Sequence, residues 1–326
     1  MFDVTPITES LEPPEATYFT PIQVQLEAFC FDEDDREEFL QASAGPALRI
    51  EDPQRSRRIV SIDGSSTILG ELDGGVVGAV RACVVVREEG GISLQRYGPY
   101  IFSCTATNTH RIYSNLRGRI LGAYNHAPAP HYSRMPDRIR SFLEKLLLEQ
   151  AVSSFSDSLI LFDGSMRVGT YDSPLSFFKR VSSIALARGN SIAAVSKRTG
   201  LTLKTNGRSI LSVLDGIPYP SYVAVKPAIM QEGRRYYGDI YVCRLVKGGY
   251  AFRVDLQPEC RNSHSFIFSE LRRISNSFGY PEDLKIAHVM SIFSPAEVIV
   301  LQAAASAAFG MHIRDDIRRK ILYPLG

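Results

Sequence analysis

Two short apolar runs, each ending in Asp-Gly-Ser, stand out in the pattern of apolar and polar residues along the chain. The first lies in residues 58–66 and the second in residues 158–166. A short apolar run predicts a buried strand, and the glycine that follows allows a sharp turn. Each turn would leave its aspartate, Asp63 or Asp163, at the carboxyl end of a strand. Since α/β folds place functional groups at strand ends, both carboxylates are candidates for one site.

Further strands are predicted from β-branched runs separated by glycine-containing turns. Residues 67–72, 76–87 and 92–102 are such runs, and they follow the first aspartate directly. A strand that carries an aspartate and continues into hairpin-linked strands is typical of the opening of a mixed sheet.

Two more apolar runs end in a side chain that could carry chemistry. Residues 191–196 predict a strand that ends at Lys197, and residues 284–288 predict a short strand closed by His288. A lysine at a strand end either neutralises a phosphate or lies in solvent. A single histidine in such a place is more often a hydrogen-bonded core residue than a catalytic one.

Apolar positions spaced three and four residues apart predict a series of amphipathic helices. The predicted helices cover residues 136–155, 175–187, 266–278 and 298–308, with a basic helix at 314–321. Tyr280-Pro281 ends the third of them. The helix at 298–308 is so apolar that it needs burial on more than one side, which makes it a candidate dimer contact.

The helix at 136–155 carries two acidic residues and leads into the strand of Asp163. Glu144 and Glu149 are five positions apart, which places them about 140° from each other around a helix axis. They therefore cannot both face the aspartates, and one of them is expected to point inward.

The remaining segments lack clean periodicity. Residues 1–20 are rich in proline and predict an extended arm, whereas residues 22–40 are ambiguous and include an acidic run, 32–35, interpreted as a solvated face. Residues 103–136, rich in arginine and histidine, predict a mobile basic loop. The organisation expected is an N-terminal extension over 1–55 for partner or dimer contact, a catalytic domain over 56–292 and a helical tail over 293–326.

Composition narrows the class of protein. A formal charge of +2 is too small to indicate nucleic-acid binding by itself, so any basic surface must be local. Five scattered cysteines without a C-x-x-C pair disfavour a disulfide framework and a zinc ribbon, and they fit a reducing compartment. Without a signal peptide pattern or an apolar run of about 18 residues, a cytoplasmic protein with no membrane span is expected.

The candidate site is an ordered set that consists of Asp63, a helix glutamate, Asp163, Lys197 and His288. A single Asp-Gly-Ser is more often a strand followed by a turn, but two copies 100 residues apart make convergence on one site a serious hypothesis. Carboxylate oxygens suit Mg²⁺ or Mn²⁺ better than zinc. Two such cations about 4 Å apart serve phosphodiester hydrolysis.

Taken in order, these motifs resemble those of the NurA nucleases. The motifs are Ile62-Asp63-Gly64-Ser65, a helix glutamate, Leu161-Phe162-Asp163-Gly164-Ser165, Ala194-Val195-Ser196-Lys197 and Ala287-His288. The resemblance covers about residues 57 to 290. It implies an α/β protein with an RNase H-like mixed β-sheet flanked by helices, an N-terminal extension and C-terminal helices.

The resemblance also implies an activity. The expected protein is a homodimeric, Mn²⁺-dependent DNase that trims DNA from the 5′ end and acts with the hexameric translocase HerA in DNA end resection and double-strand-break repair, with endonuclease activity on single strands as a further expectation. Mg²⁺ is the alternative ion.

The same resemblance implies roles for individual residues. Asp63 and Asp163 would ligate metal, and His288 would assist catalysis or metal binding. Lys197 would contact phosphate. Glu144 is preferred as the third carboxylate, with Glu149 as its substitute. A DNA channel is assigned to four arginines, Arg111, Arg117, Arg119 and Arg198.

Two other functions remain open at this point. A non-catalytic DNA-binding adaptor of a motor ATPase would keep the fold without the chemistry, and a metal-dependent phosphatase would act on small phosphomonoesters. The sequence holds no Gly-Lys-Ser/Thr loop, so ATP hydrolysis would have to come from a partner.

Overall fold

The computed structural model describes residues 2–11, 41–52, 56–227 and 235–311. The acidic run at 32–35, the ambiguous segment at 22–40 and the basic helix at 314–321 lie outside the described residues.

Most of the described strands belong to one large sheet. Its members are β1 (Gln41–Arg49), β2 (Arg58–Leu72), β3 (Gly75–Glu88), β4 (Gly91–Thr105), β5 (Ser158–Asp163), β7 (Ser191–Ser196), β8 (Thr202–Leu203), β9 (Ser221–Pro227), β11 (Asp239–Arg244) and β12 (Phe252–Leu256). Within the described ranges, β6 (Arg167–Val168) and β10 (Arg235–Tyr236) form a separate two-stranded sheet.

The strand order of the large sheet is β4-β3-β2-β5-β7-β12-β11-β9-β1-β8. Its first five strands are the RNase H-like part: β2, β3 and β4 form an antiparallel meander, while β5 and β7 run parallel to β2. The added strands continue the sheet from β7 through β12. The fold is therefore an RNase H-like mixed sheet, as expected from the sequence.

The α-helices lie on both faces of this sheet. They are α1 (Thr5–Leu11), α2 (Thr109–Leu116), α3 (Met135–Ser154), α4 (Leu175–Ala187), α5 (His264–Arg273), α6 (Glu282–Ser291) and α7 (Pro295–Phe309). A π-helix spans Arg117–Leu121, and short 3₁₀ helices span Tyr132–Arg134, Ile210–Leu214 and Pro258–Asn262.

Alternation along β2 assigns its side chains to the two helical layers. Val60 and Ile62 are buried in the layer that contains α1, α2, α3 and α4. Ile59, one position away, is buried in the layer that contains α5. Asp63, which follows Ile62, therefore points to the face of α5 and α6. Helix α6, which lies on that face, can therefore place a side chain directly against this carboxylate.

The predicted helices at 136–155 and 175–187 are present as α3 and α4, and the third ends earlier than expected, at Arg273. Three predictions of local structure are wrong. Residues 5–11 form a helix rather than an extended arm, and the supposed mobile loop at 103–136 contains α2 and the π-helix. Residues 284–288 belong to α6 and are not a strand.

The predicted domain limits at 55 and 292 remain a prediction. β1 precedes the first limit, and it pairs with β9 inside the large sheet. Helix α7 follows the second limit, and it contacts β2. Elements on both sides of each limit therefore contribute to one packed structure.

One stretch, Glu282–Phe309, is long and apolar enough by composition to cross a membrane. It comprises two helices, α6 and α7, with a non-helical break at residues 292–294. Neither helix alone reaches the roughly 20 residues that a span needs. A single stretch of this kind is weak evidence for a membrane protein.

Candidate metal centre

Asp63 and Asp163 meet because their strands are parallel and in register. The last pair in the β2–β5 ladder joins Ile62 to Phe162, and each aspartate is the next residue along its strand. Residues at the same register of adjacent strands point to the same face. Oxygen atoms of both carboxylates and a ring nitrogen of His288 lie within 4.8 Å of one another.

The two Asp-Gly-Ser copies differ in local structure, which corrects one expectation. Asp163 ends β5, and the Gly164 that follows has a φ of +127°, so this copy is a strand end with a turn. Asp63 instead lies inside the 15-residue β2, which continues past it to Leu72 in a ladder with β3. The first aspartate therefore does not lie at a strand end.

His288 reaches the site from α6, in the helical turn that precedes the break. Its Nδ1 lies 2.7 Å from Asp63 Oδ2. The α6 helix rests on β2 and β3, on the face to which Asp63 points. The imidazole is 48% exposed, so it is open to a ligand on the solvent side.

Lys197 follows β7 and pairs with the second aspartate. Its Nζ lies 2.7 Å from Asp163 Oδ2, and the side chain is 44% exposed. The ammonium also lies 5.0 Å from the centre of the Tyr280 ring, a cation–π arrangement. A partly exposed ammonium between an aspartate and solvent is well placed for an incoming phosphate.

Tyr280 is a member of the site that sequence reasoning missed. The residue is 8% exposed, and its hydroxyl has no hydrogen-bond partner among the described residues. Burial raises the pKa of its hydroxyl, and the charges of Asp163 and Asp63 raise it further. The hydroxyl therefore stays protonated. In the sequence, Tyr280-Pro281 signalled only the end of a helix.

The electrostatics of the pair favour a cation. Burial raises the pKa of Asp63 above its ordinary value, and the negative charge of Asp163 raises it further. Hydrogen bonding to His288 and to the Gly64 N–H, 2.9 Å from Asp63 Oδ1, opposes that increase. Two carboxylates held this close repel each other, and a bound divalent ion would remove the repulsion.

The donor set fits a divalent ion. Two carboxylates and one imidazole nitrogen converge, and all three donors come from elements fixed by the core, namely β2, β5 and α6. Carboxylate oxygens are the ligands that Mg²⁺ and Mn²⁺ prefer.

Glu144 lies beside this centre, on the opposite face of β2. Arg140 Nη1 donates to Glu144 Oε1 at 2.7 Å. A Cβ atom placed on Gly64 would be 2.9 Å from the same Oε1, so the carboxylate lies directly over the backbone next to Asp63. Burial raises the pKa of Glu144, the Arg140 charge opposes this, and Asp63 raises it further.

Glu149, the alternative candidate for the third carboxylate, pairs with Arg180 instead of adjoining Asp63. Its two oxygens accept from Nε and Nη2 of Arg180 at 2.7 and 2.9 Å. Arg180 also donates to the carbonyls of Ile120 and Leu121. Glu149 thus joins α3 to α4 and to the π-helix, and of the two glutamates only Glu144 adjoins Asp63.

The arginines assigned to a DNA channel are dispersed. Arg117 is 2% exposed and donates to the carbonyl oxygens of Tyr171 and Asn125, so it supports the fold and is not accessible to DNA. Arg119 forms an ion pair with Glu9 on α1. Arg111 lies on α2 and is partly exposed. Arg198 is exposed and directly follows Lys197.

Comparison with known proteins gives structural similarity but no sequence match. No family model and no curated protein matches the chain. Among solved structures, the crystal structure of the NurA nuclease from Sulfolobus solfataricus is similar, with a TM-score of 0.53 and 17% identity, over 81% of this chain and 88% of that chain.

Two other solved structures are more distant. A crystal structure of NurA bound to dAMP and manganese has a TM-score of 0.45 at 11% identity and covers 82% of this chain and 90% of that one. An endonuclease V from Ciona intestinalis in complex with DNA has a TM-score of 0.36 at 13% identity and covers 72% of this chain and 83% of that one. On the first of the three similarities, the chain has a NurA-like fold.

Proposed function

We propose that this protein is a divalent-metal-dependent DNA nuclease that hydrolyses phosphodiester bonds. One observation carries the proposal: the side chains of Asp63, Asp163 and His288 converge within 4.8 Å, with the ammonium of Lys197 beside them. The fold that holds them is similar to that of a NurA nuclease. The residues and their order are those by which the sequence resembles that family.

Each residue has a role that follows from its position. Asp63, Asp163 and His288 hold the ion, and Glu144 completes a carboxylate set from the other face of β2. When bound, divalent ions at such a site supply Lewis acidity toward the scissile phosphate and lower the pKa of the attacking water. Lys197 leaves Asp163 to neutralise a phosphate oxygen. The protonated hydroxyl of Tyr280 donates a hydrogen bond to the reacting group.

The finer proposals concern the ion count and the biological setting. Three carboxylates, from Asp63, Glu144 and Asp163, provide enough oxygens for two cations, so a two-metal reaction with Mn²⁺, or with Mg²⁺, is proposed. The NurA resemblance supports 5′-to-3′ trimming of DNA ends, with endonuclease action on single strands, in cooperation with a HerA-type hexameric ATPase during end resection. A cytoplasmic location is also proposed, since the five scattered cysteines fit a reducing compartment.

Two surfaces support the proposed partners. On α7, the adjacent apolar side chains of Ile299 and Val300 are 66% and 67% exposed, and this face is the proposed homodimer contact. Arg198 extends the basic side of the site from Lys197 and is the strongest of the proposed DNA contacts. Arg111 and Arg119 are also proposed as DNA contacts. Arg117 is omitted because it is buried.

The proposal is tested with labelled linear single- and double-stranded DNA. We expect the purified protein to cleave DNA with Mn²⁺ or Mg²⁺ and to lose that activity in a chelator, because the carboxylates alone cannot activate water. Labels at the 5′ and 3′ ends report the direction of trimming. Equal DNA binding with and without metal and no cleavage would instead favour the adaptor, and turnover of a phosphomonoester without DNA cleavage would favour the phosphatase.

Replacing Tyr280 by phenylalanine tests the role of the unpartnered hydroxyl. We expect cleavage to fall about ten- to hundredfold, the equivalent of one hydrogen bond to a charged group. Stability should be unchanged or higher, because a buried hydroxyl without a partner is removed. The measurements are single-turnover cleavage and thermal unfolding.

Tyr222 provides the matched control for this variant. It is also buried, and its hydroxyl lies 3.0 Å from His264 Nδ1, on the added strand β9. Tyr222→Phe should therefore leave cleavage near the wild-type rate. Equal cleavage rates for Tyr280→Phe and the wild-type protein would remove Tyr280 from the site.

A further inference from the structure

A fully buried ion pair lies in β12, next to the strand that leads to Lys197. Arg253 and Asp255 each have no exposed side-chain surface. Nε of the guanidinium donates to Oδ1 of Asp255, and Nη2 donates to Oδ2, both at 2.7 Å. The two residues are two positions apart on one strand, so they share one face of the sheet.

The carboxylate of this pair fixes the loop that follows Asp163. Asp255 Oδ2 accepts a hydrogen bond from the N–H of Met166 at 2.9 Å. The carbonyl of Met166 accepts from the N–H of Tyr237 at 2.8 Å. Met166 is three residues from Asp163 and is itself 1% exposed, so both peptide groups that flank it are fixed.

The guanidinium of the pair reaches the loop that contains Lys197. Arg253 Nη1 donates to Thr199 Oγ1 at 3.3 Å, and Thr199 is two residues after the lysine. The ring of Tyr236 covers the guanidinium at 4.3 Å. One ion pair thus connects the loop that follows Asp163 with the loop that contains Lys197, and the side chains of these two residues meet at the metal centre.

We infer that the Arg253–Asp255 pair is a positioning pair that sets the geometry of Asp163 and Lys197 at the metal centre. Burying two charges is costly, and apolar side chains of similar volume would often stabilise a core equally well. The hydrogen bonds to Met166 and Thr199 give the pair a function that apolar side chains could not replace. The inference rests on the proposed metal centre and assigns no direct contact with substrate to either residue.

The first test compares Asp255→Asn with Glu270→Gln. Asp255→Asn replaces one carboxylate oxygen by an NH2 group, which would face an N–H of Arg253 donor to donor, so the two-point pairing with the guanidinium is lost. Glu270 is a matched control because its side chain is also unexposed and pairs with Arg57 at 2.8 Å. Six residues of extended chain, about 20 Å, separate Arg57 from Asp63, so this control pair is remote from the metal centre.

Both variants are expected to lower the temperature of unfolding. Only Asp255→Asn should also weaken Mn²⁺ binding, by about ten- to a hundredfold, as measured by calorimetry or electron paramagnetic resonance on the full chain. Equal Mn²⁺ affinity in the two variants would overturn the inference. If the wild-type protein binds Mn²⁺ but cleaves no DNA, the proposed function fails while this comparison still applies.

Thr199 provides a second pair of variants that keeps the inference testable if Asp255→Asn does not fold. Thr199 is partly exposed, so neither Thr199→Val nor Thr199→Ser should disturb the core. Thr199→Val removes the acceptor for Arg253 and for the N–H of Leu201 and should lower kcat several-fold with little change in KM, while Thr199→Ser should restore it. Equal kcat values for the valine and serine variants would contradict the connection through Arg253.

Discussion

Replacing Asp163 by alanine is expected to reduce metal-dependent DNA cleavage by at least about 1,000-fold. A bound ion contributes several kcal/mol to a reaction of this type, and each 1.36 kcal/mol is a factor of ten in rate. Asp163 contributes to the site twice, since its carboxylate both joins the cluster with Asp63 and holds Lys197 at 2.7 Å. The measurement is the cleavage rate of end-labelled linear DNA at saturating Mn²⁺.

A loss of cleavage in this variant must be distinguished from a loss of the folded state. The alanine variant should unfold, without metal, at a temperature close to that of the wild-type protein or above it, because the repulsion on the buried Asp63 is removed. Lys197 is left partly in water and is not buried without a partner. Added Mn²⁺ should stabilise the wild-type protein and have less effect on the variant.

Asp239→Ala is the matched control for Asp163→Ala. Asp239 begins β11 and forms an ion pair with Arg261 at the surface, at 2.9 Å. Its removal should leave cleavage unchanged. If Asp163→Ala retains more than about a tenth of the wild-type rate, a loss of under 1.4 kcal/mol, the adaptor becomes the better proposal.

Glu144→Gln is expected to lower cleavage about a hundredfold, whereas Glu149→Gln should leave it within a factor of about three, a difference of roughly 2 kcal/mol in activation free energy. The carboxylate of Glu144 lies over Gly64, beside Asp63, and is the proposed third carboxylate. That of Glu149 holds Arg180 at a helix–helix contact.

The two glutamine variants control for each other, since both come from α3 and both lose one ion pair with arginine. Cleavage and thermal unfolding are measured on the same preparations. Glu149→Gln should mainly lower the unfolding temperature, because the contact between α3 and α4 weakens. The reverse pattern, with cleavage lost in Glu149→Gln and retained in Glu144→Gln, would make Glu149 the third carboxylate.

The sequence predicted the central sheet because its strands depend on local patterns. The apolar runs before Asp63 and Asp163 are buried strands, and the long helix after Pro136 has apolar residues at helical spacing. Parallel pairing in register then brings the two aspartates together, although they are 100 residues apart. The added strands β9, β1 and β8 depend on pairing between distant segments, which no local pattern specifies.

The misinterpreted segments are short, and tertiary contacts decide their structure. Residues 284–288 form a short, mostly apolar run, which is also typical of a buried strand, but Ala287 and Leu284 are buried on one side of a helix against the sheet. The segment at 103–136 contains an eight-residue helix and a π-helix, neither long enough for a clear period. Arg117, which sequence suggested for DNA, is buried there by contacts within the fold.

The convergence of Asp63 and Asp163 was expected from a repeated motif, whereas Tyr280, a single residue without such a repeat, was not identified from the sequence. Two Asp-Gly-Ser copies marked the aspartates, and Lys197 followed an apolar strand. Tyr280 carries no spacing signal, because its proposed role depends on a buried hydroxyl whose surroundings, including the charges of Asp63 and Asp163, come from other elements. The positioning pair in β12 was missed for the same reason.

The two glycines of the repeated tripeptide serve opposite needs. At residue 164 an added methyl group would meet no atom within 4 Å, but the backbone has a φ that side chains rarely adopt. At residue 64 the backbone is ordinary strand, and the same methyl group would collide with the Glu144 carboxylate. Gly164 is needed for its backbone torsion angle, whereas Gly64 is needed because a side chain there would overlap Glu144. The two identical Asp-Gly-Ser tripeptides are therefore under different structural constraints. The effect of replacing one glycine does not predict the effect of replacing the other.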